Sequence, residues 1–144
     1  MPLVYFDSSA LVKLLVEEPG SDLAADLWDG CDAPVASRLA YPEVCAALAA
    51  AARNHTLTGT EADVAARSWE EFWAATRPVE LTAAVQQHAG ELARTCALRG
   101  TDAVHLASAL AVNDPELVVA VWDRRLHTGA GTSGLRVAPA TLGG

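Results

Sequence analysis

The chain has 144 residues, 51% of them hydrophobic, and a net charge of −8 with a pI near 4.8. That length holds one domain with a real core and is too short for two, and the apolar content excludes a disordered chain. The acidic balance argues against a protein that coats nucleic acid through phosphate contacts alone, but not against an enzyme whose carboxylates hold metal ions.

In chain order, residues 3–6 are an apolar run that ends abruptly at Asp7, Ser8 and Ser9, which reads as a buried strand. Residues 10–18 have helical spacing and close at Pro19 and Gly20. A second helix covers 21–28 with Ser21 as cap, followed by a turn at 29–32 and a short strand at 33–36 weakened by Pro34. Residues 37–53 are helical, but Pro42 forces either a kink or a later start near Tyr41. Either way Glu43 lies near the positive end of the helix. After a connector, Thr60 caps a helix over 60–75 with Val64, Trp69, Phe72 and Trp73 as its apolar side. A brief strand at 78–81 leads to Thr82, which caps a helix running to about residue 98 and ending at Arg99 and Gly100. Thr101 caps the next helix, 102–112. Residues 117–122 are the strongest strand in the sequence and stop at Asp123, as the first strand stops at Asp7. A helical turn at 123–127 and a strand at 135–137 complete the chain, with no repeats or linkers.

The run 44–52 is too short to span a bilayer. The N-terminal apolar run lacks a preceding basic region, so it does not read as a signal peptide. Cys31, Cys45 and Cys96 show no C-x-x-C spacing and read as free thiols of a cytoplasmic protein.

Alternating strands and helices predict an α/β fold with a parallel sheet covered on both faces. In such a sheet, strand carboxyl ends and the N-termini of the following helices share an edge, and ligands bind there. Asp7, Glu43, Asp102 and Asp123 are all placed at that edge. An all-oxygen, acceptor-only set suits a hard divalent cation, magnesium or manganese, and without metal some of its members should hold their protons more tightly. Each carboxylate also has a plainer role when taken singly: Asp7 and Asp123 as helix caps, Glu43 and Asp102 as partners of a helix dipole. Ser8 reads equally as a cap or as a hydroxyl that orients a neighbouring carboxylate or water. His105 shares a helix face with Asp102 and reads as a structural hydrogen bonder. Arg38, Arg99, Arg124 and Arg125 lie near the carboxylates in sequence and could touch phosphates, although any one alone reads as solvated or ion-paired.

Four stretches carry a resemblance: Val4-Tyr5-Phe6-Asp7-Ser8-Ser9-Ala10-Leu11; Ser37-Arg38-Leu39-Ala40-Tyr41-Pro42-Glu43-Val44; Leu98-Arg99-Gly100-Thr101-Asp102-Ala103-Val104-His105-Leu106-Ala107; and Val121-Trp122-Asp123-Arg124-Arg125-Leu126. In this order and at this length the chain resembles the PIN-domain ribonucleases, specifically the VapC-type toxins of bacterial toxin–antitoxin pairs. The resemblance implies a single three-layer PIN-like domain over 1–144, a short central parallel sheet flanked by helices. It implies a magnesium-dependent endoribonuclease (manganese also serving) that hydrolyses RNA with a metal-activated water, leaving a 5′-phosphate and a 3′-hydroxyl. It further implies a homodimer and inhibition by a cognate antitoxin. Asp7, Glu43, Asp102 and Asp123 fall on the family's acidic metal positions, and Ser8 on the hydroxyl position beside the first. Many relatives have Thr or Ser two residues before the last Asp, where this chain has Val121. Two other classes stand beside this reading. One is a non-catalytic PIN-like module that binds a partner or regulates a promoter. The other is a receiver-like phospho-acceptor, disfavoured because no Lys follows Asp102 or Asp123 at a strand end.

Overall fold

In the computed structural model, which describes residues 2–143, the first apolar run forms β1 (Val4–Phe6) with all three residues buried. Burial on both faces is what an interior strand of a parallel sheet requires. The order along the chain is β1, α1 (Ser8–Lys13), α2 (Ser21–Gly30), β2 (Pro34–Ser37), α3 (Ala40–Arg53), α4 (Gly59–Ala74), β3 (Arg77–Val79), α5 (Ala83–Thr95), α6 (Gly100–Ala111), β4 (Val118–Ala120), α7 (Arg124–Thr132) and β5 (Arg136–Ala138). The five strands pair in parallel in the order β3-β2-β1-β4-β5. The chain winds outward from β1 to β2 and β3, then returns through α5 and α6 to β4 on the other side. The topological switch point therefore lies between β1 and β4, where an open α/β sheet opens a crevice at its carboxyl edge.

Strand alternation divides the interior into two cores. Val4 and Phe6 pack with Leu11, Val44, Leu48 and Trp69 on the face covered by α1–α4. Tyr5 packs with Leu92, Leu106, Val119 and Leu126 on the face covered by α5–α7. This is the expected three-layer α/β arrangement. Pro34 is tolerated in an interior strand because it is the strand's first residue, where the missing N–H breaks no ladder.

Several local expectations are corrected. The first helix ends at Lys13, not near Glu18. Leu14 and Leu15 switch to i→i−3 bonds with Leu11 and Val12 (3.1 and 2.9 Å), and this tightening buries Val16. Ser21 does not cap α2; Gly20 does so by its backbone at φ 95°, while Ser21 Oγ donates to the Val16 carbonyl. The cap of α4 is Thr58 in a reciprocal box with Glu61, not Thr60. Pro42 is accommodated without a kink because α3 starts at Ala40, which puts Pro42 in the first turn where no N–H is needed. The helix before Arg99 ends at Thr95, since Ala97 takes a left-handed φ of 52° and turns Leu98 into the core. Helix α6 begins at Gly100, so Thr101 is already inside it and Arg99 is its N-cap residue.

Candidate active site

Asp7 stands at the sheet edge because β1 stops there. Its N–H still bonds the Ala120 carbonyl (3.3 Å), while its side chain turns to cap α1. Oδ1 accepts from the Ala10 N–H (2.9 Å) and from the Ser9 hydroxyl (2.6 Å). Ser9 Oγ in turn accepts from the Trp122 N–H (3.1 Å), which ties the end of β1 to the segment leaving β4. The cap and the ligand reading of Asp7 are thus compatible: capping uses Oδ1 and leaves Oδ2 for a cation.

Glu43 comes to the same edge from the first turn of α3. Ser8 Oγ donates to its Oε1 at 2.6 Å, and His105 Nε2 lies 2.6 Å from the same oxygen. His105 is 3% exposed and faces inward from α6, with Nδ1 2.8 Å from the Tyr5 hydroxyl. Tyr5 Oη accepts from the Ser37 N–H (3.3 Å), so its own proton is free to point at Nδ1. The network then assigns the ring proton to Nε2, donating to Glu43. Ser8 caps nothing; it and His105 hold one carboxylate oxygen between them.

Asp102 and Asp123 form the third part. Asp102 lies in the first turn of α6, and Asp123 caps α7 through Oδ1 and the Leu126 N–H (3.0 Å). Arg99 spans them, with Nε 3.0 Å from Asp102 Oδ2 and Nη2 3.0 Å from Asp123 Oδ2. The other arginines near the site have different partners. Arg38 pairs with Glu80, and Arg124 donates to the Gly143 carbonyl (2.6 Å).

The electrostatics follow from this placement. Burial raises the pKa of Asp7 from 3.8 to about 6, against the hydrogen bonds from Ser9 and Ala10, and the charge of Asp123 pushes the same way as burial. Burial works against the Glu43 carboxylate too, but the hydrogen bonds from His105 and Ser8 outweigh it, and its pKa lies below the usual value.

Among the described residues, no three Asp, Glu, His or Cys side chains are gathered tightly enough to grip one ion as they stand. The donor chemistry nevertheless fits a hard divalent cation. The site is all oxygen, Asp7 Oδ2 and Glu43 Oε2 are left over by the hydrogen bonds above, and a guanidinium already stands as positive charge between Asp102 and Asp123. Sequence reasoning assigned no role to Tyr5 or Ser9, although both lie within the first quoted stretch. An aromatic hydroxyl inside a buried strand, where a partner is needed, is the signal that could have found Tyr5.

A family model for the PIN domain matches residues 4–128. Two proteins of Mycobacterium tuberculosis, ribonuclease VapC45 (strain CDC 1551 / Oshkosh) and ribonuclease VapC49 (strain ATCC 25618 / H37Rv), are each 76% identical over 142 residues, covering 99% of this chain and 99% of the relative. In fold, the chain superposes on one from a toxin–antitoxin complex of Klebsiella pneumoniae with a TM-score of 0.67 at 17% identity, covering 96% of this chain and 98% of that one. With the parallel sheet, the switch-point carboxylates and a relative of this identity over the full chain, the protein belongs to the PIN-domain family and, within it, to the VapC-type ribonuclease toxins.

Proposed function

We propose that the chain is the endoribonuclease toxin of a toxin–antitoxin pair, hydrolysing RNA phosphodiesters with the help of a divalent cation, Mg2+ or Mn2+, held by Asp7, Glu43, Asp102 and Asp123. The observation that carries this reading is that buried Asp7, which ends β1, feels the charge of Asp123, which follows β4, across the switch point, and that Arg99 bridges Asp123 to Asp102. The full-length identity to two named ribonucleases supports RNA as the substrate class. Bound there, a divalent cation would make water a nucleophile at neutral pH and stabilise charge on the phosphate.

The chain's own residues prepare for that chemistry. Ser9 and the Ala10 N–H fix the rotamer of Asp7, leaving Oδ2 as its outward donor. Ser8 and His105 hold Glu43 by one oxygen and keep it ionised. Tyr5 holds His105 in the tautomer that donates to Glu43. Such supporting bonds keep donor atoms in place before substrate arrives, so less ordering remains for the reaction itself.

The reading includes a cognate antitoxin, in keeping with the origin of the Klebsiella neighbour, and a homodimer. It also includes a cytoplasmic site of action; among the described residues no helix is long and apolar enough to cross a membrane. The test is cleavage of single-stranded and structured RNAs by the antitoxin-free chain, with Mg2+ and with chelator. Wild type should cleave only with metal, and Asp7→Asn and Asp102→Asn should not cleave. Cleavage retained by both variants would sink the mechanism, and no cleavage of any RNA by wild type would favour a non-catalytic binding module.

A further inference from the structure

Arg99 is the charged group at the site that the proposed reaction leaves without a task. It is the N-cap residue of α6, yet its side chain caps nothing. Instead one planar fork spans two carboxylates: Nε to Asp102 Oδ2 and Nη2 to Asp123 Oδ2, both 3.0 Å, with a longer contact of 3.5 Å from Nη2 to Asp102 Oδ1. A guanidinium has the geometry to reach two acceptors at once, which an ammonium lacks. The asymmetry of exposure matters as well. The Arg99 side chain is 59% exposed and that of Asp102 only 8%, so the cation reaches in from solvent and can swing back out without disturbing the core. Exposed ion pairs are weak, so the bridge is one that a competing cation can break. Neighbouring arginines do not share this arrangement: Arg125 has no ion pair among the described residues.

We infer that Arg99 is a built-in counter-cation that holds Asp102 and Asp123 together in the metal-free protein and has to release them for a divalent cation to bind. The inference rests on the metal-dependent reading above. It explains why the carboxylates share an edge without forming a ready three-ligand cage: one of the positive charges they need is supplied by the chain.

The experiment is calorimetric titration of Mn2+ into the metal-free full chain, comparing wild type with Arg99→Gln, Arg99→Lys and Arg125→Gln. Arg99→Gln should bind Mn2+ on the order of tenfold more tightly, the two weak pairs no longer competing. Arg99→Lys keeps the charge but cannot span both carboxylates, and should fall between wild type and Arg99→Gln. Arg125→Gln removes the same charge without a contact to either Asp, and solvent screening should limit its effect to about twofold. Equal affinity of wild type and Arg99→Gln overturns the inference. An equal gain in Arg125→Gln also overturns it, by reducing the effect to net charge. Failure of all the proteins to take up Mn2+ sinks the metal reading and this inference with it; uptake that ignores Arg99 removes this inference alone.

Discussion

The Tyr5 hydroxyl and His105 Nδ1 lie 2.8 Å apart although the two residues are 100 positions apart in sequence. This bond joins the central strand to α6, and through Nε2 of the same ring it reaches Glu43 at 2.6 Å. Both partners are buried, so each needs the other.

Tyr5→Phe should therefore do more than remove one bond. It leaves the Ser37 N–H and His105 Nδ1 without the partner they share, at a cost of about 1–3 kcal/mol. The imidazole then loses the bond that orients it at Nδ1 and is held only through Nε2, by Glu43. Metal-dependent cleavage should fall about 10–100-fold, as for other lost supporting bonds. Urea unfolding reads the first effect and single-turnover cleavage the second; a variant with wild-type cleavage would show that Tyr5 does not position the ring.

Asp7→Asn should stabilise the metal-free protein at alkaline pH. In the fold Asp7 holds its proton more tightly than in the unfolded chain, its pKa being raised from 3.8 to about 6. Protonation thus favours the fold. The stabilisation from Asp7 is fully present below about pH 4 and is lost as pH rises through 6. Asn keeps the acceptor at Oδ1 and never ionises, so in chelator at pH 8 it should be more stable than wild type by about 2–3 kcal/mol. The gap should close as the pH falls toward 4. Melting curves across that range test the sign, and a gap that is constant with pH would contradict it.

Ser9→Ala should shift the acid side of the cleavage profile upward. The Ser9 hydroxyl donates to Asp7 and is one of the groups holding its pKa down. Without it Asp7 binds its proton more tightly still, so a higher pH is needed to expose the carboxylate. The Trp122 N–H also loses its acceptor, which should cost about 1–3 kcal/mol of stability. Rate against pH at a fixed, subsaturating Mg2+ concentration, where proton and cation compete for Asp7, is the measurement. A profile that falls in amplitude without moving would assign Ser9 to structure alone.

How much of this could be read beforehand depends on how far apart in sequence the interacting groups are. Asp7 and Asp123 were legible because each follows an apolar strand run and opens a helix, a wholly local signal. The Thr58 cap was missed in favour of Thr60, although Glu61 stands three residues after Thr58 as the capping box requires, while Thr60 has only the shorter Asp63 at that spacing. Pro42 left two starts for α3 open, because propensity alone does not say how the chain leaves β2. The task of Ser8 needed the fold: its partner Glu43 is 35 residues away. Arg99 reaches Asp123 across 24 residues, and only the packing of α6 against α7 brings them together. Val121 is fully buried in the core under α5–α7. Bonds to Asp7 and the segment before Asp123 come from Ser9, in the first turn of α1.

Gly20 offers a test of whether the segment before Asp123 is held from outside the sheet. Gly20 has φ 95°, a conformation that costs an L-residue about 1–2 kcal/mol. A Cβ there would meet Trp122 Nε1 at 2.8 Å and Cε2 at 2.9 Å. The Trp122 ring has Lys13 Nζ 5.1 Å from its centroid, so it is flanked by both ends of the segment joining α1 to α2. Gly20→Ala must therefore displace the ring, adding about 1–3 kcal/mol of overpacking to the backbone strain. Because Trp122 immediately precedes Asp123, cleavage should fall along with stability. Combining Gly20→Ala with Trp122→Ala separates the two contributions: the clash disappears, and the cost of adding the methyl to the Trp122→Ala background should drop to the backbone strain alone. Gly59→Ala, where a Cβ meets nothing within 4 Å, should stay within about 0.5 kcal/mol of wild type. If Gly20→Ala costs as much in the Trp122→Ala background as in wild type, the ring is not what Gly20 makes room for.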